Sequence, residues 1–480
     1  MRARRGQGEL AIVLHTHMPY IEGGTPWPPA DQAAFLRKPD GFGVWPFGEE
    51  WLWEAIATSY VPLLDVLGKA PITLSLTPVL CDQLEAPGAM ARCLRFLREV
   101  RPESHRLDIE GFRAAGEEGF ARELERSAAE YAVAADRLEA IDRDLLGALG
   151  SRASWTSAAT HPILPLLVTD AAVALQIETG IASHRRRFGH WNGGFWLPEC
   201  AHAPWLDGLL EDYGVHATCV ELTEAFGLGA PAHLRPLMTD EGPVLWPIDR
   251  EIIALAWGGS GYPAAPGYRD YHGHTLHRHR VWANDGSPYD FEAARALARD
   301  HAADFVARVR SRVHDGGVCV CAFDTELLGH WWYEGVAWLD AVLEESALQG
   351  LALTTLDDAL ERHEPVPAPP FLPETTWGHG GNLSTWSGPA VADLAWQART
   401  AELAVFRAGG RAPERAVREL LALQASDWAF LATYQLAGDY PRERMQAHAD
   451  ALALALAGED GGVDPAVRNL APDLLVREWL

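Results

Sequence analysis

Two carboxylates in aromatic surroundings carry the chemistry this sequence can do. Glu199 follows Pro198 in the segment GGFWLPEC, and Asp324 ends the apolar run VCVCAFD, with Trp331, Trp332 and Tyr333 shortly after it. Proline cannot donate to a strand ladder and holds its predecessor extended, so Pro198 should stop a strand and leave Glu199 at its rim. A lone glutamate at a strand end is ordinarily a solvated loop residue. A second carboxylate on a separate strand, with indoles beside both, shifts the reading to glycosidic-bond chemistry. One group would attack the anomeric carbon while the other, its pKa raised by desolvation, protonates the leaving oxygen. Flat indole faces also stack on the apolar faces of sugar rings, although scattered tryptophans are ordinarily core. His15 and His17 form a further pair directly after the run AIVL. Residues two apart on a strand point the same way, so both imidazoles can face one pocket. Substrate hydrogen bonding, metal ligation and a structural role are all open for them, and no local motif supplies a third metal ligand.

These side chains need strands that end together. The runs Leu10 to Leu14, Ile72 to Leu76, Gly194 to Leu197, His216 to Val220, Val244 to Pro247, Val318 to Phe323 and Leu351 to Thr354 read as strands, separated by segments of helical period. That alternation predicts an α/β barrel, whose active site assembles at the C-terminal strand ends. Residues 86–149 carry no strand signal and repeat apolar positions at helical spacing, which predicts a helical insertion. The segment EPVPAPPFLPE is too proline-rich for a helix or central strand and reads as a linker, and everything after about Val391 is helical in period. The expected division is a barrel over 1–85 and 150–365, a helical insertion over 86–149, and a C-terminal helical domain over 366–480.

Composition narrows the partners. The 480 residues hold 66 acids against 40 bases, a net charge of -26, with 19 tryptophans. Such a surface repels phosphates and anionic lipid, and the basic runs Arg2 to Arg5 and Arg185 to Arg187 are short, so neither nucleic acid nor membrane is expected. No stretch approaches the roughly 18 apolar residues of a membrane span, and the run Ala11 to Leu14 is too short for a signal peptide, so the chain is expected in the cytoplasm. Six sparse cysteines in apolar runs fit a reducing compartment, and Cys319 and Cys321 have no second pair nearby to make a zinc site.

The segments VLHTHMPY, THPILPLL, GFWLPECAHAP, AFDTELLGHWWYEG and QASDWAF, in this order, resemble the motifs of glycoside hydrolase family 57, especially its 1,4-α-glucan branching enzymes. The likeness runs from about residue 9 to residue 450. It implies an incomplete (β/α)7 TIM-like barrel with a helical insertion and an all-helical C-terminal domain. It also implies a retaining mechanism with Glu199 as nucleophile and Asp324 as acid/base, their carboxyls roughly 5 to 5.5 Å apart. His15, His17 and His161 match residues lining the subsite at the cleaved bond, and Trp257, Trp377, Trp386 and Asp427 match positions that contact or flank bound glucan. Trp196, Trp331 and Trp332 also fall in these motifs and are expected around the cleft. No metal or organic cofactor is implied, and the expected partner is an α-1,4-glucan.

The sequence departs from the subgroup's pattern on the acceptor side. Ile248 stands at an arginine position, Ala264 at a glycine, His379 at an acid and Leu436 at a glutamine, and the interval Glu221 to Pro243 is short and lacks a tyrosine. Branching is the leading expectation, with hydrolysis or 4-α-glucanotransfer by the same residues as alternatives. A metal-dependent deacetylase and a non-catalytic glucan-binding protein stand further back.

Overall fold

The computed structural model describes residues 8–21, 48–459 and 469–474. The basic run Arg2 to Arg5 lies outside them. Among the described residues ten strands form one sheet: β1 (Glu9–Thr16), β2 (Thr73–Leu76), β3 (Ala153–Ser157), β4 (Gly194–Trp196), β5 (Ala217–Val220), β6 (Leu237–Met238), β7 (Val244–Pro247), β8 (Val318–Asp324), β9 (Ala352–Thr354) and β10 (Val366–Pro367). Their order is β10-β6-β7-β5-β4-β3-β2-β1-β8, with β9 also on β1. Every pairing is parallel except that of β6 with β7. The sheet curls into an incomplete (β/α)7 barrel, and just past β7 the Asp249 amide donates to Val320 O of β8 at 2.9 Å, linking the two ends of the curl.

Sandwiched parallel strands are buried on both faces, and all eight residues of β1 are buried. The seven runs read as strands are found as β1, β2, β4, β5, β7, β8 and β9, β7 with the same ends and the others with at least one end shifted by one or two residues. The sequence reading missed β3. ASWTS has no apolar run, and its alanine, serines and threonine read as loop, yet it is a central strand between β2 and β4. The proline-rich segment read as a linker contributes β10, a two-residue edge strand on β6.

Between β2 and β3 the chain is helical, with long helices Arg101–Ala114 and Glu118–Ala140 packed on one another. Residues 392–456 form four helices around an apolar cluster that includes Val405, Leu420 and Trp428 and extends to Tyr20, Val79, Ala159 and Leu175 of the barrel. Two short π-helical turns, Ile56–Tyr60 and Phe96–Val100, interrupt the helices beside the barrel. Such turns recur at functional sites. Gly329, at φ +95, brings the loop after Asp324 so close to the first π turn that a Cβ there would lie 1.9 Å from Thr58 O. That approach sets Tyr60 against Glu326.

Candidate active site

A single cavity of about 1870 Å³ opens over the C-terminal strand ends, and both Glu199 and Asp324 line it. It exceeds the roughly 300–1,000 Å³ usual for a small-molecule pocket, as a polymer site requires. Glu199 lies in the short turn after β4 at φ 60, a left-handed conformation costing about 1–3 kcal/mol in a residue with a Cβ. The surroundings hold it there. Its carbonyl accepts from the Trp377 amide at 3.0 Å, and its Oε2 accepts from Trp377 Nε1 at 2.7 Å. Cys200 and His161 also have positive φ.

Burial pushes Glu199 up to about 7, against the opposing pull of the Trp377 hydrogen bond and the His17 charge. Asp324 is pushed well above the usual carboxylate range, first by burial and then by the nearby charges of Glu199, Glu326 and Asp427. Neither has a lysine or arginine partner among the described residues. The Glu199 charge is the first electrostatic cause of the Asp324 shift after burial, so ionising Glu199 favours the protonated form of Asp324.

Three imidazoles stack behind them. The ring of His161 lies 4.0 Å from that of His17 and 5.0 Å from that of His15, and His15 stacks on Trp196 at 4.7 Å. His15 Nε2 and His161 Nε2 are 3.0 Å apart. Burial and the neighbouring imidazoles hold both rings well below the usual histidine range, so they are neutral. His17 is raised. Burial opposes its charge, but Asp427, 3.0 Å from Nε2, prevails with help from Glu326 and Glu199.

The structure brings His17, His161, Trp257, Trp377 and Asp427 to the cavity wall with both carboxylates. His15, 1 % exposed, is set one layer behind it. Trp386 is also set back: it is buried in a cluster with Ile163, Ala201 and Leu383 and packs under Gly378, where a Cβ would meet its ring at 2.7 Å. Trp196 and Trp332, expected around the cleft, are core residues as well, so Trp257, Trp331 and Trp377 supply the indole wall. Of the departures from the subgroup pattern, His379 and Leu436 lie on the wall and Ile248 is core.

Two residues were missed. Glu326 is buried beside Asp324, accepts from the Tyr60 hydroxyl at 2.5 Å and from the His17 amide at 3.2 Å, and is raised by burial to about 7. The signal for Glu326 was present, since it lies in the segment quoted for Asp324. Tyr60 is 266 residues away and carried none. Among the described residues no three His, Cys, Asp or Glu side chains are grouped to hold a metal ion.

Carboxyls of raised pKa at the ends of β4 and β8 of a curled parallel sheet, walled by indoles, are equipment for glycosidic-bond chemistry. The model of glycosyl hydrolase family 57 matches residues 154–369, and that of the 1,4-alpha-glucan branching enzyme C-terminal region matches residues 392–464. A 1,4-alpha-glucan branching enzyme of Thermococcus kodakarensis is 31% identical over 92% of this chain and 72% of its own length. A probable 1,4-alpha-glucan branching enzyme of Mycobacterium tuberculosis is 29% identical over 97% of this chain and 94% of its own length. The crystal structure of a branching enzyme of this family from Pyrococcus horikoshii, 29% identical, superposes with a TM-score of 0.84 over 98% of this chain and 96% of that one. The chain belongs to glycosyl hydrolase family 57.

Proposed function

We propose that this protein is a 1,4-α-glucan branching enzyme in which Glu199 is the nucleophile and Asp324 the acid/base. The observation carrying the reading is the asymmetry of the pair. Trp377 donates to Glu199 and favours its anion, whereas no described residue donates to Asp324, which burial and three neighbouring carboxyls keep protonated. Glu199 attacks the anomeric carbon with the oxygen that Trp377 leaves free, and Asp324 passes its proton to the departing 4-oxygen. The Asp324 carboxylate then takes the proton of an acceptor 6-hydroxyl as that oxygen displaces Glu199 from the anomeric carbon, so the configuration is retained. His17 and His161 contact the sugar at the cleaved bond, with His15 fixing the tautomer of His161. Trp257 and Trp377 stack on flanking glucose units, Asp427 holds His17, and Trp386 supports the Gly378 turn.

The proposal takes the barrel, the helical insertion and the C-terminal helices as three parts of one catalytic unit. It treats the enzyme as intracellular, in keeping with six free buried thiols. Among the described residues no helix is long and apolar enough to cross a membrane. Incubation with amylose, followed by NMR of the anomeric protons, tests the reading. New α-1,6 signals are expected. Reducing ends without branches would make the protein a hydrolase, and redistributed linear chains a 4-α-glucanotransferase.

A further inference from the structure

The cavity runs on from the strand ends to a second wall built from the helices Arg101–Ala114 and Glu118–Ala140 and the loop 269–280. This loop is pinned in place. Asp108 accepts from Thr275 Oγ1 and His277 Nδ1, and His279 Nε2 lies 3.1 Å from Ser104 Oγ. In a chain of net charge -26, this wall is rich in arginine.

Most of these arginines are matched by acids. Arg101 pairs with Glu54, Arg126 with Glu123 and Glu130, Arg269 with Glu123, and Arg137 with Asp65. Arg278, Arg280 and Arg295 also line the cavity without an ion pair to a described residue, and of these Arg280 is anchored by a hydrogen bond. Its Nη1 donates to His330 O at 2.9 Å and its guanidinium lies 4.6 Å over the Tyr271 ring, but no ion pair joins it to a described residue. It lines the cavity between Arg278, which has a left-handed backbone at φ 64, and the matched pairs around Arg101 and Arg269. The imidazoles nearby are held neutral, by burial first and by the arginines second. Burial and Arg280 push His330 down to about 3, and burial with Arg101 and Arg269 does the same to His105. His274 is lowered by burial with Arg278 and Arg280. Glu54 acts on Arg280 only through space and is committed to Arg101, and a part-buried guanidinium with no acid in direct contact is costly, while its planar fork suits carboxylate or phosphate.

We infer that Arg280, with Tyr271 and Arg278, forms an anion subsite of the glucan cavity, and that the natural substrate is an α-glucan carrying a carboxylate or phosphate-ester group. The inference rests on the glucan reading above and deepens it. Arg280 binds the anion by paired N–H donors, Tyr271 holds the guanidinium plane, and the sugars run from there along the indole wall to Glu199 and Asp324.

The test is calorimetric titration of the Glu199→Gln protein, which binds without turnover. The probes are maltoheptaose, its aldonate oxidised at the reducing end, and maltoheptaose bearing one phosphate ester. One anionic ligand is expected to bind about tenfold tighter than the neutral one at low salt, with the advantage shrinking as salt rises. The aldonate and phosphate arms tell which group is preferred. Adding Arg280→Gln should erase the advantage, and Arg280→Lys should keep part of it. Equal binding of all three ligands overturns this inference and leaves the glucan reading standing. An anionic preference that survives Arg280→Gln in protein of unchanged melting temperature also overturns it. Binding by none of the three, with no branches made from amylose by the unsubstituted protein, removes the glucan reading and this inference together.

Discussion

The two walls of the cavity deal with buried charge in opposite ways. At the strand ends Glu199, Asp324 and Glu326 meet indole, tyrosine and imidazole, and their pKa values rise. On the helical wall Glu54 and Glu123 are also buried, but each lies against an arginine. A proton balances a carboxylate reversibly and can be handed to a leaving group, whereas an arginine has none to give at neutral pH. The strand-end wall is therefore built for proton transfer and the helical wall for holding shape.

Substitutions on the two walls should differ accordingly. Glu199→Gln is expected to cut initial rates of branch formation at least about 1,000-fold, since the proposed mechanism needs nucleophile and acid together. The NMR assay with amylose checks this, and near-normal rates would remove Glu199 from the mechanism. On the other wall, Arg101→Met breaks the 2.5 Å Arg101–Glu54 pair and strands a buried carboxylate. A stability loss of about 3–5 kcal/mol is expected in urea titrations at pH 7. A loss below about 1 kcal/mol would mean that the helical wall is not held by its ion pairs.

Two smaller effects sharpen the contrast. Trp377→Phe removes the N–H donated to Glu199, so the carboxylate loses a stabilising partner and its pKa rises further. The acid limb of the kcat/KM profile should move to higher pH, with a loss of about tenfold at pH 6. An unmoved limb would show that Trp377 serves only as a sugar platform. Glu326→Gln addresses stability. The folded carboxyl titrates at about 7 against an ordinary 4.5, so the folded state keeps a proton that the unfolded state has already released. That group makes stability fall as pH climbs from about 4.5 to 7, and removing it should narrow the gap between pH 5 and pH 8 by about 1–3 kcal/mol. Denaturation midpoints at the two pH values measure the gap, and an unchanged gap would place the titration elsewhere.

The residues at strand ends were the most legible part of the molecule. Glu199 and Asp324 follow apolar runs whose boundaries local chemistry marks, a proline in one case and the end of a buried strand in the other. β3 was illegible because its small polar residues are buried by neighbours on both sides, not by their own hydrophobicity. The tryptophans misled in part, since identical local company gave Trp377 to the cavity and Trp386 to the layer beneath it. Tyr60 and Arg280 could not be read at all. What distinguishes them is a partner gained or lacking in three dimensions, and neither leaves a mark in the adjacent sequence.

The contact between His17 and Asp427 joins residues 410 positions apart, one at the first strand of the barrel and the other on a helix near the far end of the chain. A ribosome emits the barrel, with both Glu199 and Asp324, well before it emits Asp427. His17 gains its charge partner only once the helix Ser426–Thr433 docks on the barrel, so the strand-end wall acquires its electrostatics after the barrel strands are made. The electrostatics around His17 therefore depend on a helix laid down about 400 residues after the strand that carries it.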